Sequence, residues 1–175
     1  ELEEVQETRI EVTVNQHALR AVEKAMKSVH PYEEVAYDVV ALLNTNQYIG
    51  SGMIGELPEA ISAMDFLYQV KELFGCGVVR YTKPHTESVK RVAVCGGSGG
   101  FLLKDAIRSG ADIFITADYK YHEFFDADGK IIIADIGHFE SEQFTSAYLV
   151  SLLMKKFTNF AVRLTNVNTN PINYL

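Results

Sequence analysis

A histidine and a glutamate four residues apart are the strongest candidates for chemistry in this chain of 175 residues. His138 and Glu142 follow the aliphatic run 131–134, which is typical of a short buried strand. On a helix, residues four apart lie on the same face, one above the other. An imidazole nitrogen and a carboxylate oxygen so placed can hold one divalent cation. The pair predicts only part of a metal site, because a catalytic zinc usually takes three protein ligands and a water.

A second set of polar residues follows the preceding apolar run, 113–116. Sites in α/β proteins collect at the carboxyl ends of parallel strands, so Asp118 and His122 are candidate catalytic residues. His122 has an ordinary pKa of about 6.5 and suits a general base, although a surface position on a helix fits it equally well. Asp118 also suits the N-cap of a helix.

The glycine-rich segment GGSGG follows the run RVAVC and precedes a predicted helix. Free backbone amides of Gly96, Gly97 and Ser98 at a helix start would favour a bound anion such as phosphate or carboxylate. A tight turn that needs glycine for its backbone angles explains the same residues. The segment has neither the GxGxxG spacing nor the Lys-Ser/Thr ending of a P-loop.

Composition sets limits on the class of protein. The chain is 47% hydrophobic and 22% charged, which predicts a globular fold with a sizeable core. A net charge of −7 with scattered basic residues argues against a nucleic-acid partner. The two cysteines, Cys76 and Cys95, form no CxxC motif, which favours a reducing cytoplasm. No apolar run approaches the roughly 18 residues that would cross a membrane.

Periodicity predicts an α/β chain whose first module covers residues 1–87. Strands are predicted at 8–14, 35–43, 48–57 and 78–82, with one helix after Asn15 and another beginning at Pro58. The resulting order, βαββαβ, is that of a ferredoxin-like unit.

The second module, residues 88–175, alternates strands with helices and predicts a mainly parallel, three-layer α/β lobe. Its strands are predicted at 91–95, 113–116, 131–134 and 160–164, and its helices at 101–109, 118–125 and 140–156. In the longest helix the predicted buried face includes Phe144, Ala147, Tyr148, Leu152 and Leu153.

Several motifs together resemble one family. The segments VAVCGGSGG, TADYKYH, IADIGHFESE and NTNPINYL are similar to the C-terminal lobe of the NIF-three-like family, whose members are labelled GTP cyclohydrolase 1 type 2 homologues. TRIEVTV and HPYEEVAYD resemble the PII-like or CutA-like domain that is inserted in longer members. The resemblance runs from about residue 8 to the end of the chain.

The resemblance implies a hexameric assembly and two divalent metal ions, zinc, iron or manganese, bound between two lobes. The family motif GH-x-x-x-E falls on Gly137, His138 and Glu142, which makes His138 and Glu142 metal ligands by similarity. The TxDxxxH motif falls on Thr116, Asp118 and His122, which the resemblance adds as residues that line the site. The family's remaining ligands, a His-His pair and an Asp, belong to an N-terminal lobe without counterpart here, so we expect the chain to be truncated.

Two functions therefore follow as expectations. The first is a metal-dependent hydrolase of the GTP cyclohydrolase type, acting on a small molecule or nucleotide, with its site completed by the missing lobe. The second is a non-catalytic oligomeric scaffold or ligand sensor that uses the PII-like module, with a structural or regulatory metal. Neither a membrane nor a nucleic acid is expected as a partner.

Overall fold

The chain folds as two compact units, Glu1–Thr45 and Asn46–Leu175. A computed structural model describes residues 6–44 and 49–175. In the first unit the described residues form one short 3-10 helix and the helix α1, Leu19–Val29. Helix α1 ends at Val29, with His30 as its C-cap, because Pro31 has no amide hydrogen to continue it.

The two strands predicted for the first unit are not formed. Residues 8–14 and 35–43 carry no assigned strand, and Ile10 and Val12 are 82% and 69% exposed. An alternating sequence favours extended backbone, but a strand also needs a neighbouring backbone to pair with. Within the described residues the expected ferredoxin-like order is therefore absent. The start of the next predicted strand, at residue 48, lies outside them.

The second unit is built on one mixed five-stranded sheet, which confirms the predicted α/β class. Its strands are β1 (Met53–Ser62), β2 (Arg80–Tyr81), β3 (Ser88–Ser98), β4 (Ile113–Ala117) and β5 (Ile132–Asp135). The order is β1-β3-β4-β5-β2, with parallel pairing of β3 to β4 and of β4 to β5. Both edge strands pair antiparallel, β1 with β3 and β2 with β5.

This pairing corrects the predicted boundary near residue 87. Strands β1 and β2 precede that boundary, yet they complete the sheet formed by β3, β4 and β5. The chain divides instead between Thr45 and Asn46. Backbone hydrogen bonds across the sheet decide the grouping, and the periodicity of one segment marks a strand without identifying its partner.

Helices flank this sheet. They are α2 (Ala63–Leu73), α3 (Leu103–Arg108), α4 (His138–Glu142) and α5 (Thr145–Lys156), with 3-10 helices at Gly100–Leu102 and Tyr121–Ala127. Helix α2 begins five residues after the predicted start at Pro58, because Pro58 lies in β1. Proline is tolerated there, since β1 is an edge strand with an irregular register between Glu56 and Ile61. The hydroxyl of Ser62 then caps α2 by accepting from the amide of Asp65.

The predicted helix 140–156 is two helices, and its expected buried face is open. No residue of α5 is buried, and Phe144 and Tyr148 are 50% and 63% exposed. The strand predicted at 160–164 does not form. Among the described residues, no helix is both long and apolar enough to cross a membrane.

The sheet lies between two apolar clusters, which confirms three layers. Helix α2 packs with Ile113 and Ile132 on one face, and α3 packs with Phe114 and Ile133 on the other. All four side chains are at most 1% exposed, and each such burial stabilises the fold by roughly 1.5–3 kcal/mol. The carboxyl ends of β4 and β5 are therefore held on a rigid frame.

Candidate metal centre

The ends of β4 and β5 bring Asp118 and His138 into contact. The two strands pair in parallel up to Thr116 and Asp135, so the residues that follow leave the sheet at the same edge. The Nδ1 atom of His138 lies 2.6 Å from Oδ2 of Asp118. The structure thus joins two residues that lie twenty positions apart in the chain.

His138 and Glu142 lie on one face of α4, as their spacing predicts. The Nε2 atom of His138 is 3.3 Å from Oε2 of Glu142. Glu140, between them, is only 7% exposed and points elsewhere, with its carboxylate near Gly137 and Asn170. Glu140 therefore does not share the face of the pair.

Hydrogen bonding fixes the state of the His138 ring. A carboxylate only accepts, so the proton between His138 and Asp118 belongs to Nδ1. Nε2 then faces a second acceptor, Glu142. The hydrogen bond to Asp118, together with the charges of Asp118 and Glu142, raises the pKa of His138 above 6.5. Either a second proton on the ring or a cation between Nε2 and Glu142 satisfies this arrangement.

The separation of the two donor atoms suits a shared metal ion. Two ligands about 2.1 Å from a tetrahedral zinc are about 3.4 Å apart, close to the observed 3.3 Å between Nε2 and Oε2. Asp118 holds the opposite ring nitrogen, an arrangement that orients metal-bound histidines in proteins. Both side chains of the pair are 50% exposed, so a cation can enter. In the described part of the chain, no group of three or more His, Cys, Asp and Glu residues is arranged to hold a metal.

The glycine-rich segment serves this pair in a way that sequence analysis missed. Strand β3 continues through it to Ser98, three residues beyond its predicted end at Cys95. The Gly97 amide donates to the hydroxyl of Ser141 at 2.8 Å, and its carbonyl accepts from the hydroxyl of Thr116 at 3.0 Å. The segment therefore contacts α4 and β4 directly.

The anion site predicted at Gly96, Gly97 and Ser98 stays a prediction. The Gly97 amide is already engaged by Ser141, and the Gly99 amide donates to Thr116 at 3.0 Å. Ser98 lines a cavity of about 320 Å³ together with Phe101, Asp118, Tyr119, Glu123 and Asp126. That cavity adjoins the candidate metal pair through Asp118.

His122 is not brought into the cluster. It lies exposed on the 3-10 helix Tyr121–Ala127, with its ring against the edge of Tyr121 at 5.4 Å between centroids. Within residues 6–44 and 49–175 no hydrogen bond joins it to Asp118 or His138. Its predicted catalytic role stays a prediction.

Asp135 is the residue of this region that sequence analysis left without a role. Its side chain is 4% exposed and accepts hydrogen bonds from the amides of Tyr119 and Gly137 at 2.9 and 3.1 Å. An acidic residue that ends a run of aliphatic residues was the available signal. A carboxylate in such a position must be satisfied by nearby donors.

Comparisons with known proteins agree with this fold. A model of the family described as Duf34/NIF3 (NGG1p interacting factor 3) matches residues 4–171. The chain is 36% identical to a GTP cyclohydrolase 1 type 2 homolog of Halalkalibacterium halodurans and 31% identical to one of Staphylococcus aureus, over 99% of this chain and 48% of each relative. It thus spans about half the length of the curated relatives that it matches. The crystal structure of a Bacillus cereus protein related to NIF3 is 32% identical with a TM-score of 0.73, over 93% of this chain and 46% of that one.

Proposed function

The chain belongs to the Duf34/NIF3 family, and from this membership and its site geometry we propose that it binds a divalent cation through His138 and Glu142. The observation that carries the proposal is the 3.3 Å separation of Nε2 and Oε2, with Nδ1 held by Asp118. Zinc, iron and manganese all suit one imidazole and one carboxylate. In the full-length protein we expect two such ions.

We further propose that this site belongs to a metal-dependent hydrolase. A bound cation would supply Lewis acidity toward water and a substrate oxygen. Asp118 orients the His138 ring, and the half-exposed pair leaves room for ligands from another lobe. The chain spans only half of its relatives, which agrees with a site completed by residues outside it. The names of those relatives favour a nucleotide such as GTP as the substrate.

Proton transfer is assigned to residues beside the pair. Asp118 acts through the His138 ring, whose Nδ1 proton it holds at 2.6 Å. His122, exposed and without a hydrogen bond to the cluster, is proposed as the general base that meets the substrate from solvent. The free thiols of Cys76 and Cys95 favour a reducing cytoplasm as the place of this activity.

The test compares the full-length protein with His138→Ala and Glu142→Ala. Metal content and GTP turnover are measured for all three, with His85→Ala as a control because His85 is exposed and lies away from the pair in sequence. The proposal expects both site variants to lose metal and turnover together. Full metal retention in both variants would contradict the assignment of the ligands.

An oligomeric scaffold is the second candidate, and the open face of α5 favours it. Leu149, Leu152 and Leu153 are 51%, 42% and 43% exposed, although apolar residues at such spacing normally pack against a partner. In this case the subunits of a hexamer would cover this face, and the bound metal would have a structural or regulatory role without catalysis. Normal metal loading with no turnover of any nucleotide by the full-length protein would favour this function over hydrolysis.

A further inference from the structure

We propose that Asp135 is the positioning residue of this centre, because its carboxylate ties together the two turns that present Asp118 and His138. Asp135 follows the last aliphatic residues of β5 and is 4% exposed. The consequences for metal binding rest on the proposed function, whereas the consequences for the His138 ring hold without metal.

The two oxygens of Asp135 accept from amides on both sides of the site. Oδ2 accepts from the amide of Tyr119 at 2.9 Å, and Tyr119 directly follows Asp118. Oδ1 accepts from the amide of Gly137 at 3.1 Å, and Gly137 directly precedes His138. One buried carboxylate therefore spans the turns after β4 and β5.

The turn after β4 has a backbone angle that depends on such support, whereas the turn after β5 uses a glycine that adopts a positive φ freely. Asp118 has φ of +61° and Gly137 has φ of +93°. A residue other than glycine is rarely stable in the left-handed region unless its surroundings hold it there. The amide of Tyr119, which donates to Asp135, directly follows Asp118 in the chain. Loss of this hydrogen bond would therefore free the strained backbone of Asp118 first.

Arg80 adds a third link to Asp135 through an ion pair. Arg80 and Asp135 face each other across β2 and β5, and the guanidinium donates to Oδ2 of Asp135. The same Nη2 atom donates to the carbonyl of Tyr119 at 2.9 Å, and the guanidinium lies 5.5 Å from the ring centre of Phe124. A buried carboxylate is stable as an anion only when it is paired in this manner.

Asparagine at this position cannot replace the carboxylate. Three N–H groups point at the two oxygens of Asp135, whereas an amide side chain offers one oxygen and one NH₂ donor. In one orientation the NH₂ opposes Gly137, and in the other it opposes Arg80 and Tyr119. Asp135→Asn therefore loosens at least one turn while side-chain size is unchanged.

The experiment measures the His138 ring by ¹H–¹⁵N NMR in the metal-free 175-residue chain, above the titration range of the ring. Zn²⁺ affinity of the same samples is measured by calorimetry. Asp112→Asn is the matched control. Oδ2 of Asp112 also accepts two backbone amides, those of Lys90 and Arg91 at 2.8 and 2.7 Å, but at the opposite end of β4.

Wild type and Asp112→Asn are expected to show a single ring tautomer with the proton on Nδ1. Asp135→Asn is expected to show a mixture of tautomers and a Zn²⁺ affinity lower by about 10- to 100-fold, the usual effect of disturbing residues that orient a ligand. An unchanged tautomer in Asp135→Asn would overturn the proposal. If the wild type binds no Zn²⁺, the proposed binding of a cation by this chain through His138 and Glu142 fails, and the NMR comparison still decides the role of Asp135.

Arg80→Met provides a second variant, because the Arg80 side chain is 54% exposed and its loss leaves the core intact. Arg80→Met is expected to show the same mixture of His138 ring tautomers, with a smaller share of the minor tautomer. If Asp135→Asn does not fold, an Arg80→Met spectrum identical to wild type would overturn the proposal.

Discussion

A β-carbon placed on Gly97 would lie 2.5 Å from Oε1 of Glu142, closer than real side-chain contacts allow. The same atom would lie 3.2 Å from Cε1 of His138. Strand β3 therefore runs directly against the candidate ligands, and a side chain at position 97 would require the Glu142 carboxylate to move. The glycine-rich segment is thus part of the candidate metal centre, because it packs against the proposed ligands.

Gly97→Ala is expected to weaken Zn²⁺ binding by at least about tenfold, since Glu142 must swing away from the new methyl group. Gly110→Ala is the matched control. Gly110 has φ of +74°, similar to the +63° of Gly97, but a β-carbon there meets nothing within 4 Å. Both variants should lose about 1–2 kcal/mol of unfolding free energy from backbone strain.

Calorimetry and urea denaturation of the two glycine variants separate the effects. Equal Zn²⁺ affinity in Gly97→Ala and Gly110→Ala would contradict a role of Gly97 at the site.

Thr116→Val is expected to destabilise the fold by about 1–3 kcal/mol. Thr116 is fully buried, and its hydroxyl donates to the carbonyl of Gly97 and accepts from the amide of Gly99. Valine has nearly the same shape but leaves both groups without a partner. Thr116→Ser keeps the hydroxyl and its two hydrogen bonds. Its free energy of unfolding, measured by urea denaturation, should therefore fall by less than that of Thr116→Val. Equal or greater loss in Thr116→Ser would assign the effect to the methyl group instead.

The stability of the metal-free chain should fall as pH rises through the titration of His138. Its pKa in the folded state is raised above 6.5, first by the hydrogen bond to Asp118. A raised pKa means that the charged pair contributes fully below about pH 6.5, and that the contribution is lost as pH rises through the folded-state pKa. In Asp118→Asn this slope should flatten, as measured by urea midpoints between pH 5 and 9. A slope unchanged by Asp118→Asn would show that the pair does not stabilise the fold.

Both cysteines should resist alkylation in the folded chain. Burial raises the pKa of Cys76 to about 11 and also raises that of Cys95, and their side chains are 6% and 7% exposed. At pH 8 about one Cys76 thiol in a thousand is ionised, and the thiolate is the reactive form. Mass spectrometry after iodoacetamide should show modification only in urea. Rapid labelling of Cys95 without urea would contradict its position in the core.

Much of the second unit could be predicted from sequence because its signals are local. The aliphatic runs 113–116 and 131–134 are strands within one residue of the predicted bounds, and the four-residue spacing of His138 and Glu142 did place them on one helical face. Predicting the contact between Asp118 and His138 would have required the order of the strands in the sheet. That order depends on pairing across the sheet, which no local pattern encodes.

The errors have physical causes that can be named. Pro58 suggested the start of a helix, but an edge strand with a shifted register accepts proline. Residues 8–14 alternate like a strand, but alternation does not supply a partner. Asp135 looked like an isolated acid at the end of β5, and its three donors come from positions up to 55 residues away.

The central claim is that His138 and Glu142 hold a cation together, and Zn²⁺ calorimetry on the 175-residue chain tests it most directly. Wild type and His85→Ala should bind one ion at this pair, while His138→Ala and Glu142→Ala should each abolish that binding. The same stoichiometry and affinity in all four proteins would contradict the claim.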